Sequence, residues 1–207
     1  MFPALVTAGA TRNPVDAIRY LSSGATGTTG LALATALAAT HDVVLLGSEE
    51  ACLRGRDSGL AMATFGSTRD LMAKVEHQLR SRPGGVFVHT AAVGDYEAEA
   101  LATKIPSGQA ELVLRLRPTP KIVDRVRDWD PTVFLVSFKA GSPDWDESRL
   151  LAVAGAQRGR SRSDLVFANR IGDLDQSCAI VGPTGVERFG DRQAALARLV
   201  ERIVARE

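Results

Sequence analysis

The chain reads as an α/β protein, a doubly wound, mostly parallel, Rossmann-like sheet with protruding antiparallel strands, formed by one domain over residues 1–207. Three observations predict this. Six short apolar runs bounded by turn residues recur at 4–7, 43–46, 61–65, 86–90, 133–138 and 165–168, the length and composition of strands. Segments with helical periodicity lie between most of them, at 31–39, 70–79, 121–127 and 150–157, the alternation that winds a parallel sheet. Glycines follow the first strand (Gly9) and precede the first helix (Gly24, Gly27, Gly30), where such sheets bring bare backbone to ligands.

Ala4, Leu5 and Val6 run into Thr7, Ala8 and Gly9, a strand that must stop at a tight turn suited to phosphate. The cluster GATGTTG at 24–30 opens the alanine-rich helix and has two readings, a dinucleotide fingerprint or an anion-binding helix start. A fingerprint needs a strand directly before its first glycine and an acid about twenty residues on. Here residues 18–23 precede the cluster, and the next strand is followed by Gly47 and Ser48 before Glu49. The anion-binding helix start is therefore retained.

Ser67 or Thr68 suits the N-cap of the second helix, and Thr119 with Pro120 at the first helical position suits the third. Two places break the alternation. Residues 97–117 form a flap whose last part, 111–117, alternates apolar and polar with period two, as an exposed antiparallel strand does. Residues 178–189 read as a strand pair around Gly182, Pro183, Thr184 and Gly185. The run 158–163 reads as a solvated basic loop. The closing segment 191–207 sets Ala194, Leu196, Leu199, Val200 and Ile203 on one face of an amphipathic helix.

Composition narrows the function classes. Hydrophobic residues are 45% and charged residues 24% of the 207, ordinary for a soluble globular protein. The net charge of +1, from 25 basic and 24 acidic residues, provides no overall field for a nucleic acid or an anionic membrane. No apolar run nears the ~18 residues of a membrane span and no signal-peptide pattern opens the chain. Cys52 and Cys178 have no neighbouring histidine and read as reduced thiols of a cytoplasmic protein. His41, His77 and His89 are scattered without metal-ligand spacing. Tyr20 and Tyr96 are followed four positions later by Gly24 and Ala100, so the Y-x-x-x-K pair of a short-chain NAD(P)-dependent oxidoreductase is absent.

Several residue types in these positions can handle phosphate and carboxylate chemistry. Lys104 lies in a short polar loop, 103–108, where a mobile ammonium can neutralise charge on a phosphoryl group. Arg19 can clamp an anion with its fork or pair with nearby Asp16. Asp95 follows the fourth apolar run, at the carboxyl edge where open sheets place ligands; it can bind a ribose or Mg²⁺, or cap the next segment. Phe138 ends the fifth run as either core or base platform. Asn169 ends the sixth, where asparagine also simply turns a chain.

Six segments occur in a fixed order: VTAGATRNPVDAIRYL at 6–21, AAVGDY at 91–96, KI at 104–105, RPTPKI at 117–122, VSFK at 136–139 and DLVFAN at 164–169. Together they resemble the phosphopantothenate-cysteine ligase family, also called phosphopantothenoylcysteine synthetases. The resemblance implies a ligase that joins 4'-phosphopantothenate to cysteine through an acyl-nucleotide, using CTP or ATP with Mg²⁺. It implies a homodimer built through the protruding strands. It assigns catalytic roles to Lys104 and Ser23; nucleotide binding to Gly9, Ala10, Thr90, Ala91, Asp95, Pro120, Lys121, Ile122, Val123 and Phe138; substrate binding to Arg19, Ala92 and Asn169; and the metal to Asp95. The chain departs from the family's pattern at Ser23, where the family has asparagine, at 25–30, which lacks the family's lysine or arginine, and at Pro106 and Ser107, which replace further lysines. These departures motivate an alternative, a nucleotide-binding relative without turnover acting as a regulatory or scaffolding dimer. A chain of this length leaves no room for a fused flavin-dependent decarboxylase.

Overall fold

In the computed structural model, which describes residues 1–174 and 177–206, all six apolar runs are strands of one sheet. In chain order the elements are β1 (Phe2–Ala8), β2 (Asn13–Pro14), β3 (Tyr20–Leu21), α1 (Thr28–Leu37), β4 (His41–Gly47), α2 (Glu49–Gly55), β5 (Ala61–Thr64), α3 (Thr68–Ser81), β6 (Val86–His89), β7 (Tyr96–Ala98), β8 (Leu116–Pro118), α4 (Ile122–Trp129), β9 (Phe134–Gly141), α5 (Glu147–Ser161), β10 (Leu165–Arg170), β11 (Cys178–Gly182), β12 (Gly185–Phe189) and α6 (Arg192–Ala205). The main sheet runs β12-β11-β10-β9-β6-β1-β4-β5. Its six strands from β10 to β5 are mutually parallel, and the β11–β12 hairpin extends the β10 edge antiparallel.

The winding reverses beside β1. The chain passes from β1 to β4 and β5 on one side, returns through α3, and continues with β6, β9 and β10 on the other. That reversal leaves a crevice beyond the carboxyl ends of β1 and β6, where the helices leaving the two strands diverge. Strand residues alternate between the faces. Leu33, Leu37, Val88, Phe167, Leu199 and Ile203 form the core under α1 and α6. Leu71, Val75, Phe87, Ile122 and Leu135 form the core under α3 and α4, and Leu150, Ala154 and Val166 extend that second face under α5.

The glycines of the two loops serve close packing. Gly9 sits at φ +88°, a backbone region side chains disfavour, and a Cβ there would lie 2.0 Å from Ser48 Oγ. At Gly30, inside α1, a Cβ would meet Thr90 Oγ1 at 2.5 Å, Ala8 Cβ at 2.7 Å and the Thr7 carbonyl at 2.8 Å. The first turn of α1 is thereby seated directly on the ends of β1 and β6.

The structure differs from the sequence expectations at five places. α2 had no expected counterpart; its N-cap Ser48 accepts from the Ala51 amide, with Glu49 and Glu50 in the first turn, an arrangement the helix dipole favours. Ser67 caps α3, but the N-cap of α4 is Lys121, because Thr119 instead donates its hydroxyl to the Gly94 carbonyl at 2.6 Å. Of the expected strand over 111–117, only Leu116–Pro118 pairs, with β7; residues 111–115 are exposed and form no ladder. The basic run at 158–163 is chiefly the last turn of α5, where Arg158 and Arg160 complement the helix dipole. In α6 the buried stripe is Ala195, Leu199, Arg202 and Ile203, so Ala194 faces outward; the expected end at Glu207 lies outside the described residues. Cys52 and Cys178 are both free thiols.

Gly30→Ala is expected to destabilise the fold by about 1–3 kcal/mol through overpacking, measured as a lowered urea midpoint. Gly24→Ala, whose Cβ would enter open space, should stay within about 0.5 kcal/mol of the parent.

Candidate active-site cleft

A cleft of about 700 Å³ opens at the carboxyl ends of β6, β9 and β10, against the start of α1 and one side of α5. Its floor rests on a buried polar row. Thr7, His89 and Ser137 occupy adjacent register positions across β1, β6 and β9. Thr7 Oγ1 and His89 Nδ1 are 2.8 Å apart, Gln157 Nε2 donates to Ser137 Oγ at 3.0 Å, and Thr7 Oγ1 accepts from the Ala91 amide at 3.2 Å. Burial pushes the His89 imidazole down to about 4. It is therefore neutral at ordinary pH, and a proton enters it only at a cost to the fold.

The segment after β6 is strapped to the loop after β1. Ala92 N donates to the Gly9 carbonyl at 2.9 Å and Thr11 N to the Ala92 carbonyl at 3.1 Å, while Gly94 N donates to Thr11 Oγ1 at 2.8 Å. Residues 90–95 thus present a fixed backbone to the cleft.

Of the expected site residues, Thr90, Ala91, Ala92, Asp95, Lys121, Val123, Phe138 and Asn169 line this cleft. Asp95 and Lys121 form an exposed ion pair at 2.5 Å. Phe138 stacks on Phe167 with centroids 4.9 Å apart and planes at 26°, so it joins the core and walls the cleft at once. Asn169 is only 5% exposed, and its side chain has no hydrogen-bond partner among the described residues.

The other expected residues are not on the cleft wall. Gly9 and Ala10 buttress it from behind through the Ala92 contacts. Pro120 precedes α4, and the Ile122 side chain is buried in the core. Ser23 and Lys104 are exposed elsewhere. Arg19 pairs with Asp16 at 2.5 Å and donates to the Ile105 carbonyl at 3.3 Å. Asp16 accepts in turn from the amides of Ile105, Ile18 and Arg19 at 2.8–2.9 Å. These bonds, led by that from Ile105, outweigh burial and hold the Asp16 carboxyl well below the usual carboxylate range. The Asp16–Arg19 pair therefore anchors the flap beside Lys104.

Among the cleft residues to which the sequence assigned no site role are Lys139, Gln157, Arg160 and Arg192. Arg160 is paired with Asp124 through two bonds of 2.9–3.0 Å, and Lys139 lies 5.7 Å from the Trp145 ring centre. Lys139 was within a recognised segment, VSFK; nothing local marked the others, since α5 and α6 deliver them from separate parts of the chain.

The profile of the DNA/pantothenate metabolism flavoprotein C-terminal domain family matches residues 3–182. The chain is 37% identical over 186 residues to the Coenzyme A biosynthesis bifunctional protein CoaBC of Thermococcus kodakarensis, covering 86% of this chain and 44% of that protein. It thus spans less than half the length of that relative. The crystal structure of the DNA/pantothenate metabolism flavoprotein from Streptococcus pneumoniae superimposes with a TM-score of 0.87 at 25% identity, covering 100% of both chains. A Cab2 variant in complex with phosphopantothenate-cysteine shares the fold, with a TM-score of 0.78 at 18% identity over 99% of this chain and 88% of that one.

Asp16→Asn should release the flap anchor, seen as faster amide hydrogen exchange over 101–106 at neutral pH. Because the fold favours the carboxylate, the parent's anchor is complete above the free-chain value of about 3.9 and is lost only as pH falls below it. Exchange in the parent should therefore stay slow down to about pH 5. In an NMR titration, His89 should show no protonation step near the free imidazole value of about 6.5.

Proposed function

The chain belongs to the DNA/pantothenate metabolism flavoprotein C-terminal domain family, and on that premise we propose that it is a ligase of coenzyme A biosynthesis, joining 4'-phosphopantothenate to cysteine with a nucleoside triphosphate. The observation that carries this reading is convergence. Ala91, Ala92, Asp95, Lys121, Phe138 and Asn169, from four separate sequence segments, meet on one cleft at the sheet's carboxyl edge.

The substrate carboxylate attacks the α-phosphorus of CTP or ATP, and pyrophosphate leaves. Cysteine's amine then attacks the acyl carbon of the acyl-nucleotide, loses a proton, and expels the nucleoside monophosphate as the amide forms. Neither step needs a covalent bond to the protein, so the chain contributes alignment and charge. Phe138, backed by Phe167, offers the base a flat platform. The rigid 90–95 backbone lines the floor beside the reacting phosphate, and Lys121 is a cation that a polyphosphate can draw from Asp95. Lys104 acts from the flap, and Arg19 steadies that flap as the partner of Asp16.

No group of three or more His, Cys, Asp or Glu side chains able to hold a metal occurs among the described residues. Asp95 alone still fits Mg²⁺ in the form triphosphate enzymes use, one or two carboxylates plus phosphate oxygens. When bound, the ion supplies neutralisation of the triphosphate charge. No helix among the described residues is long and apolar enough to cross a membrane; the cytoplasmic site of action belongs to the ligase reading and is supported by the coenzyme A biosynthesis relatives. The ribbon around β7 and β8 leaves Tyr96, Leu101, Leu112, Val113 and Leu116 exposed, and apolar surface gathered in this way supports a homodimer. The second reading, a nucleotide-binding dimer without turnover, is favoured by one observation: Ser23 and Lys104 both lie off the cleft wall.

Protein supplied with 4'-phosphopantothenate, cysteine, Mg²⁺ and either CTP or ATP is expected to release pyrophosphate with at least one nucleotide. Release with neither would overturn the ligase, and calorimetric nucleotide binding without release would establish the second reading. Lys104→Ala should slow release by about 10²-fold or more at an unchanged unfolding midpoint. Light scattering should give a dimer mass, shifted toward monomer by Val113→Asp.

A further inference from the structure

The cleft holds an unneutralised cation that no recognised segment contains. Arg192 opens α6 and lies beyond the residues matched by the family profile, 3–182. It nevertheless lines the cleft beside Thr29 and Asn169. Its Nη2 donates to Thr29 Oγ1 at 3.1 Å and its Nη1 to the Leu174 carbonyl at 3.4 Å. The guanidinium lies 5.5 Å from the ring centre of Phe167. These contacts aim the fork and use two of its five N–H groups. No carboxylate among the described residues pairs with it, whereas Lys121 and Arg160 in the same cleft are each neutralised by an aspartate.

Two further observations point to an anion at this corner. Asn169, two residues beyond Phe167 on the same face of β10, is only 5% exposed and lines the cleft, and its side-chain amide, with no hydrogen-bond partner among the described residues, keeps its donors for a ligand. The first turn of α1 beside Thr29 carries no acidic residue and no side-chain cap, and the glycine loop ahead of it holds no cation. A phosphoryl group placed here would complete all three: it accepts from the guanidinium fork, from the Asn169 amide and from the α1 amides.

We propose that Arg192 is a phosphate-binding residue of this cleft, acting with Asn169 and oriented by Thr29. The proposal rests on the ligase reading for the identity of the phosphoryl group, which belongs either to the nucleotide's polyphosphate or to the phosphorylated acyl substrate. The binding chemistry itself is independent of turnover.

The test begins with inorganic tripolyphosphate, titrated calorimetrically into the full chain at low salt. Arg192→Gln is expected to bind it at least about tenfold more weakly than the parent, the usual effect of losing a charge-assisted hydrogen bond, and Arg192→Lys should recover most of the loss. Thr29→Val, which removes only the orienting hydroxyl, should weaken binding less than Arg192→Gln. Equal affinity in the parent and Arg192→Gln, or no binding by the parent, would overturn the proposal whether or not the protein turns over. Where it does turn over, Arg192→Gln should raise KM for one phosphorylated substrate more than it lowers kcat. A rise for the nucleotide assigns the polyphosphate, and a rise for 4'-phosphopantothenate assigns the acyl substrate. A fall in kcat with both KM values unchanged would overturn the assignment and leave Arg192 as a strut between α6 and α1.

Discussion

The site depends on how closely the first turn of α1 lies against the ends of β1 and β6. A helix packed on a parallel sheet normally keeps its backbone a side chain away from the strands. Here Gly30 removes that spacing, so Thr90 Oγ1 and the Thr7 carbonyl pass where a Cβ would project. Thr90 uses the approach to donate to the Thr7 carbonyl at 2.6 Å. The glycine loop, the segment after β6 and the ends of β9 and β10 are then brought around one opening. The winding reversal makes the crevice, and the close packing gives it a rigid wall.

Around that wall the protein separates fixed groups from adjustable ones. The fixed groups are backbone and buried polar side chains: the row Thr7, His89 and Ser137, and the straps from Gly9 and Thr11 to Ala92 and Gly94. The neutral imidazole of His89 spares this row an uncompensated buried charge. The adjustable groups are cations at the rim. Lys121 is held at an exposed aspartate, an interaction worth little in water, and in the proposed reaction passes to a phosphate. Lys104 is carried by a flap whose fixed point is the Asp16 and Ile105 contact. Such a division suits the proposed acyl-nucleotide chemistry, in which large charges enter and leave while the reacting centres must stay aligned.

The strands were legible because their apolar runs are short and bounded and, apart from the exposed edge strand β5, largely buried, a signal that survives without tertiary information. α2 was not, because its seven residues hold two glutamates and an arginine and too few buried positions to show a period. The alternation over 111–117 was real, but a period of two records only a capacity to pair. The ladder stops at Leu116 because β7 is three residues long. Thr119 was a reasonable cap by type, yet a hydroxyl makes the bond nearest to it in space, and here that was the Gly94 carbonyl. Arg19 shows the same competition: its fork suits an anionic substrate, and the anion it meets is Asp16, three residues away.

The amino-acid order by itself determined the strand and helix alternation, the ordered segments that mark the family, and the placement of Asp95 beyond β6 and of Phe138 and Asn169 in the carboxyl-terminal halves of β9 and β10, although β9 runs three residues past Phe138. Each of these is written in residues a few positions apart, where backbone geometry converts spacing directly into position. Only the tertiary structure decided which cations share the cleft, which glycines serve packing, and which charges are already neutralised. Arg192 and Thr29 are 163 positions apart in sequence. Their meeting follows from α1 and α6 packing on the same face of the sheet, a long-range consequence of topology that no local pattern encodes.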